Sequence, residues 1–175
     1  WALIPGIAWG GDSSTLFTVT HAPSQNLVSL EESPYFDLSA ISIANESNIQ
    51  LSSQTGMFAY PASSPLRPSG KERMYQIAYL QAIFPSQSES SRYRVIVMDR
   101  DGSNRRAVFP PENAQGVRPQ TPIWAPEAIT GQNGDFLALI YQGNLWLVDS
   151  GSGQAHQITG DGLISRIDWK SLSSD

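Results

Sequence analysis

Two segments of this chain share one pattern, and their repetition constrains the fold more than any other feature. Residues 93–109 read YRVIVMDRDGSNRRAVF, and residues 143–159 read GNLWLVDSGSGQAHQIT, a looser copy. In each copy an apolar run ends in an aspartate, Asp99 or Asp149, and a glycine-containing turn leads into a second short run. Apolar runs joined by such turns predict β-hairpins. A hairpin that recurs along a chain is typical of a repeat architecture.

Four further segments align with one another, and each carries a large aromatic residue near its end. They are residues 4–9, 54–59, 120–125 and 164–169, with Trp9, Phe58, Trp124 and Trp169 as the aromatics. Three more short runs follow each of the first three segments, which predicts units of four strands. These runs cover residues 15–21, 36–44 and 48–52 in the first unit, 76–84, 93–98 and 105–109 in the second, and 136–142, 144–148 and 156–159 in the third. The aromatics recur every 45 to 66 residues, and four-stranded units of about 40–50 residues match the blades of a β-propeller. We therefore predict an all-β chain of four-stranded antiparallel blades.

The predicted blades cover residues 4–53, 54–119 and 120–163, and residues 164–169 are predicted to form the first strand of a further blade. The aromatics of the first strands are expected to pack between blades near a central axis. A β-sandwich is the alternative, because it also alternates short strands with turns. Closed propellers have four to eight blades. Three blades therefore predict a partner, either the remainder of a longer propeller or a second copy that completes the ring, and the extra strand favours the former.

Composition excludes several classes of function. The formal net charge of −5 argues against nucleic acid or an anionic membrane surface as the main partner. No run reaches 18 apolar residues, so we predict no membrane insertion. The chain contains no cysteine, which excludes a disulfide scaffold and a thiolate metal site.

The repeated segments resemble a known repeat family. VIVMDRDGSNRRAVF and LWLVDSGSGQAHQIT are similar to the repeat of TolB-like β-propellers, and PIWAPEA resembles the P-x-W-S-P-D-G element of that family, with Ala125 in place of the serine. IAWGGDSSTLF resembles the same element with Gly11 in place of the proline. The resemblance implies a bacterial propeller in the periplasm or at the cell surface that acts as a protein-interaction scaffold. Similar propellers also occur beside the catalytic domains of prolyl-oligopeptidase-like peptidases.

Two motifs invite a chemical interpretation that their surroundings do not support. The DRDGSN run at residues 99–104 has carboxylates around a glycine, as a calcium loop does, but Arg105 and Arg106 follow instead of a bidentate glutamate. We interpret the run as a tight hairpin turn in which Asp99 accepts main-chain N–H groups and Gly102 supplies a positive φ. Ser13 lies in a Gly-Asp-Ser-Ser turn, but His21 and His156 fall in predicted strands and no nucleophile elbow is present. We predict no catalytic residue, no cofactor and no metal site, and hence a protein that is not an enzyme.

Function is predicted to lie in the longer loops, because loops on a rigid β scaffold often carry binding residues. The candidate partner contacts are Tyr60, Arg67, Arg73, Arg92 and Arg118, since tyrosine and arginine are enriched where proteins bind each other. The alternative is that these loops are tolerated insertions. We expect a binding module for a protein or peptide. The alternatives are an accessory domain of a hydrolase whose catalytic part lies outside this chain and a structural subunit of a larger assembly.

Overall fold

The computed structural model describes residues 6–24, 29–69, 72–126 and 135–169, with backbone alone at positions 68, 69, 72 and 73. In these ranges the chain is all-β and forms three four-stranded antiparallel sheets and one two-stranded hairpin. The helical elements of the described ranges are two three-residue 3₁₀ turns, Leu30–Glu32 and Pro85–Gln87. Neither is long and apolar enough to cross a membrane.

Each large sheet is a meander in which strands that follow one another in the chain are hydrogen-bonded neighbours. The first sheet contains β1 (Ile7–Trp9), β2 (Thr15–His21), β3 (Phe36–Ser42) and β4 (Ser47–Ser52). The second contains β5 (Ala62–Ser63), then β8 (Gln76–Ala82), β9 (Tyr93–Asp99) and β10 (Arg106–Phe109), after an inserted hairpin of β6 (Arg67–Ser69) and β7 (Glu72–Met74). The third contains β11 (Ile123–Trp124), β12 (Phe136–Tyr141), β13 (Asn144–Asp149) and β14 (Ala155–Gln157).

The second, third and fourth strands of every sheet form where the sequence predicts them, but the first strands differ. Residues 54–59, predicted as a strand, form a turn instead, because Gly56 has a φ of +97° and lies so close to β8 that a Cβ would be 2.7 Å from the Ala82 methyl. The carbonyls of Thr55 and Ala59 accept main-chain hydrogen bonds from β8 there, at 2.7 and 2.6 Å, and the Gln54 carbonyl accepts one from the Gln81 side chain at 2.6 Å. The regular first strand forms later, as β5.

The predicted strand at residues 164–169 is also absent from the described structure. Its single main-chain bond to the third sheet is Ile164 N–H to the Gly143 carbonyl at 2.7 Å. Residues 4 and 5 of the first predicted segment lie outside the described residues.

The second sheet is the centre of the molecule because both of its faces are buried. Ile77 and Tyr79 of β8 pack against the first sheet, whereas Ala78 and Leu80, between and after them, pack against the third. This alternation is the two-residue period of a β-strand. We call the contact of the first and second sheets the first interface and that of the second and third sheets the second interface.

The first strands of the three sheets lie side by side, with β5 in contact with both β1 and β11. Gly11 N–H donates to Ser63 Oγ at 2.9 Å, and Trp124 Nε1–H donates to the Ala62 carbonyl at 2.9 Å. Trp124 is therefore buried between two sheets, as expected for an aromatic of a first strand. Trp9 is not: 60% of its surface is exposed, because it lies on the outer face of the first sheet, opposite Leu16.

Candidate functional site

A cavity of about 670 Å³ opens at one end of the second interface. Three stretches of chain form its walls: residues 115–120, the end of β12 with its turn, and residues 162–165. We call it the interface cleft. Its volume lies in the range of pockets that bind small molecules or a few residues of a peptide.

The first wall extends the second sheet by one bridge. Tyr93 and Val117 exchange both main-chain hydrogen bonds, with N···O distances of 3.0 and 2.8 Å. Gly116 permits this approach, since a Cβ there would come within 2.8 Å of the Arg92 Cβ and 2.7 Å of Ile83 Cδ1. The wall is therefore held by sheet hydrogen bonds and by a glycine that makes room for the side chain of Arg92.

The second wall is the tight turn between β12 and β13. Gln142 and Gly143 both have positive φ, 52° and 73°, as in the two-residue turns that match the twist of a hairpin. The Tyr141 hydroxyl donates to the Gln115 carbonyl at 2.8 Å, which connects this wall to the first. The Gln120 side chain bonds both main-chain groups of Ile140 at 2.7 Å and so takes the place of a neighbouring strand.

The third wall packs directly on that turn. Gly162 N–H donates to Asn144 Oδ1 at 3.0 Å. A Cβ on Gly143 would lie 2.1 Å from the Gly162 carbonyl oxygen, so only glycine fits at this position. Leu163, next in the wall, is 80% exposed. An apolar side chain therefore stands at the edge of the cleft.

The interface cleft is positively charged in a chain of net negative charge. Arg92 and Arg118 line it, and no lining residue in the described ranges is Asp or Glu. The single ion pair among the described residues is Arg67–Asp135, at 2.9 Å, outside the cleft lining. Both cleft arginines are consequently without a carboxylate partner in the described part of the chain.

The other predicted partner contacts lie elsewhere. Arg67 is held by its ion pair with Asp135. Tyr60 is half-buried, and its ring is stacked on Phe58 with centroids 5.8 Å apart. Arg73 contributes backbone to β7, and its side chain lies outside the described part of the structure. The structure thus brings together two of the five predicted contacts.

The repeated aspartates lie at turns and are hydrogen-bonded in two different arrangements. Asp149 Oδ1 accepts the main-chain N–H groups of Gly151 and Ser152 at 2.8 and 2.7 Å. Asp99 was predicted to accept main-chain N–H groups, but its carboxylate accepts side-chain amides instead, from Asn104 at 2.6 Å and Gln76 at 3.2 Å. The φ of +85° that the first turn needs is supplied by Gly102.

Asp12 connects the segment before the second strand of the first sheet to the residue before β8. Its carboxylate accepts bonds from the Tyr75 hydroxyl at 2.8 Å, from the Ser14 N–H at 2.9 Å and from both the N–H and the hydroxyl of Thr15. Partial burial acts to raise the pKa of Asp12, but these bonds outweigh it and lower the pKa from 3.8 to about 2. Burial and the Asp12 carboxylate raise the pKa of Tyr75 to about 12.

No described residues form the constellation of a metal or hydrolase site. No group of three His, Asp or Glu side chains in the described ranges could hold a metal ion. His21 lies at the end of β2, with its Nδ1 3.3 Å from the Ser33 carbonyl oxygen and its ring against Phe36. His156 lies in β14 and is exposed.

No protein-family model matches this chain, and no curated protein matches it. The interface cleft therefore has to be interpreted from its own residues. Sequence reasoning missed most of its lining, namely Gln115, Gly116, Gln120, Gln142, Gly143 and residues 162–165. A local signal existed in the Gln-Gly-Asn turn at residues 142–144, which is typical of a tight hairpin. Nothing local indicates that residues 162–165 return to pack on it.

Proposed function

We propose that this chain is a non-catalytic binding scaffold for a protein or peptide, built as a partial β-propeller of the TolB-like type. The location that accompanies this proposal is the bacterial periplasm or cell surface. The observation that carries the proposal is the interface cleft: an open, positively charged cavity whose three walls are all anchored to sheets.

The propeller part of the proposal rests on sheet order and on the first strands. Three meanders of four strands stack face to face, and β5 contacts both β1 and β11. Blades arranged around an axis bring their first strands together in this way. A cavity of about 440 Å³ is lined by Trp9, residues 62–65 and residues 121–124, beside these strands.

The binding part of the proposal rests on preorganisation. A ligand that enters a rigid cleft has to order few side chains of the protein, which lowers the entropic cost of association. Tyr141 is buried with its hydroxyl bonded, and the Gln120 side chain is bonded on both polar atoms. These lining groups therefore have one conformation before a ligand arrives.

The test is an unbiased selection of peptides on the purified chain. Random dodecapeptides displayed on phage are panned against the folded protein, and enriched sequences are synthesised and titrated by calorimetry. We expect saturable binding at one site. The control is the same panning on the Leu80→Ala variant at a temperature at which it is unfolded. Enrichment of the same sequences on unfolded protein, or no enrichment on folded protein, would contradict the proposal.

Association of this chain with a second copy or with a further propeller segment is a second candidate function, supported by the outer face of the first sheet. Ile7 and Trp9 are 58% and 60% exposed there, and exposed apolar side chains grouped on one face mark interaction surfaces. A further propeller segment or a second copy would cover them. Sedimentation velocity should then give a mass above the 19.1 kDa of the chain, and Trp9→Ser should restore the monomer. A monomer at all concentrations would rule out the second copy.

A further inference from the structure

The two arginines of the interface cleft lie beside the bridge that holds its first wall. Arg92 precedes Tyr93 and Arg118 follows Val117, and Tyr93 and Val117 exchange both main-chain hydrogen bonds. A Cβ on Gly116, two residues before Arg118, would lie 2.8 Å from the Arg92 Cβ. Both arginines therefore belong to the same side of the cleft, and both line it.

Two positive charges on the same side of a cleft repel each other. The usual compensation would be a neighbouring carboxylate, and elsewhere in this protein Arg67 has one in Asp135. The formal charge of −5 means that carboxylates outnumber basic groups in the chain. None of them lines the cleft in the described structure. An arginine pair that keeps its charge uncompensated in an acidic protein provides a site for an external anion.

We propose that Arg92 and Arg118 together bind a carboxylate of a bound peptide in the interface cleft. This inference rests on the proposed peptide-binding function and names the chemistry of its ligand. Two guanidinium groups offer paired N–H donors to the two oxygens of one carboxylate. The carboxylate is either the C-terminus of the peptide or an acidic side chain, and the experiment below separates these sources.

The rest of the cleft fits a peptide around that carboxylate. Ile140 and Leu163 offer apolar contact, while Gln115, Gln142 and Ser165 offer side-chain donors and acceptors that make no hydrogen bond in the described structure. A peptide needs both kinds of contact, because its main-chain groups must be hydrogen-bonded where its side chains are buried. The charge pair would fix the position of one end of the peptide, and the mixed walls would contact the next residues.

The experiment titrates the purified chain by heteronuclear NMR with three synthetic tetrapeptides. These are acetyl-Gly-Gly-Ala-Leu with a free C-terminus, the same peptide as a C-terminal amide, and acetyl-Gly-Glu-Ala-Leu amide. We expect at least one carboxylate-bearing peptide to shift the amide signals of residues 115–120 and 141–143, and the neutral amide to bind at least about tenfold more weakly. One charge-assisted contact is worth about that factor.

Substitutions locate the site. Arg118→Gln and Arg92→Gln should each weaken binding of the carboxylate peptide about tenfold or more, and Arg92→Lys should recover part of it. The matched control is Arg100→Gln, which removes one positive charge from an exposed position outside the cleft. Thermal unfolding of each variant verifies that it is folded.

Several results would overturn the inference. Equal binding of the neutral amide, or equal weakening by Arg100→Gln, would show that the arginine pair is not the site. Tighter binding of inorganic phosphate than of the carboxylate peptides would assign the site to a phosphate group. Library-selected peptides that bind regardless of both substitutions would leave the proposed function intact and refute this site. Binding of neither a library peptide nor a carboxylate tetrapeptide would refute the broader function and this site together.

Discussion

The two interfaces between sheets differ, although they share the second sheet. The first interface is closed at its edge by Asp12, whose four hydrogen bonds include one from Tyr75 across the interface. Its cavity near Asp12 measures about 280 Å³. The second interface opens at one end into the 670 Å³ cleft. Both interfaces contain a core of buried apolar side chains. They differ in the segments that connect the strands, and these segments form the large cleft at the second interface.

The largest expected effect compares a core leucine with an outer one. Leu80 is fully buried in the second interface, so Leu80→Ala should lower the free energy of unfolding by about 2–5 kcal/mol. Leu147 lies on the outer face of the third sheet and is half-buried, so Leu147→Ala should cost about 1 kcal/mol. Urea unfolding measures both. Equal losses would mean that the outer face of the third sheet is covered in solution.

Substitution of two glycines tests whether the third wall of the cleft depends on its packing against the turn at Gly143. Gly143→Ala places a Cβ 2.1 Å from the Gly162 carbonyl oxygen at a φ of +73°, and the left-handed conformation alone costs about 1–2 kcal/mol. Gly160→Ala is the control, because its Cβ would meet no atom within 4 Å. We expect hydrogen exchange at residues 162–165 to accelerate in the first variant and to stay unchanged in the second. Unchanged exchange in both variants would show that the protection of residues 162–165 does not depend on their packing against Gly143.

The polar contacts at the two interfaces should respond differently to acid. Because the pKa of Asp12 falls from 3.8 to about 2 on folding, its contribution to stability is present above about pH 4 and is lost as the pH falls through about 2. Asp12 is half-exposed, and solvent screening reduces this contribution to about 1 kcal/mol. Asp12→Asn should remove that part of the acid dependence, measured by thermal unfolding from pH 5 to 2.

Asp135→Asn is the matched change at the second interface. It breaks the half-exposed ion pair with Arg67 and should cost less, about 0.5 kcal/mol. A larger loss of stability in Asp135→Asn than in Asp12→Asn would show that the ion pair contributes more to stability than the hydrogen bonds of Asp12.

The smallest expected effect concerns the cleft arginines in the absence of ligand. Arg118→Gln removes one of the two positive charges that line the cleft and should leave stability unchanged or raise it by up to about 0.5 kcal/mol. Arg67→Gln, which removes a paired arginine, should lower stability by up to about 1 kcal/mol. Thermal unfolding at low salt tests the contrast. A clear loss in Arg118→Gln would mean that Arg118 already has a stabilising partner.

Local patterns predicted most strands because short alternating runs with turn residues encode hairpins without help from the rest of the chain. β2 and β9 begin at the predicted residues, and Gly102 supplies the predicted turn conformation. The prediction of a strand at residues 54–59 was wrong because Gly56 packs closely against Ala82 of another strand, which is a tertiary contact. The prediction of a strand at residues 164–169 was wrong because no strand of the described structure pairs with this segment by a ladder of hydrogen bonds.

The candidate site was predicted in part. Arginine and tyrosine in loops indicated Arg92 and Arg118, but composition could not separate them from Arg67, which the fold pairs with Asp135. The placement of Arg92 and Arg118 in one cleft depends on the bridge between Tyr93 and Val117. That bridge joins residues 24 positions apart, and nothing in either segment alone specifies it.

By itself, the sequence determined an all-β chain of repeated four-stranded units, since strand and turn preferences act within a few residues. The packing of distant segments sets which arginines line one cleft, which arginine is paired with a carboxylate, and where the second interface opens. Those outcomes depend on long-range contacts, such as the packing of Gly162 on Gly143. The repeated hairpins therefore encode the scaffold, and the segments between them form its cleft.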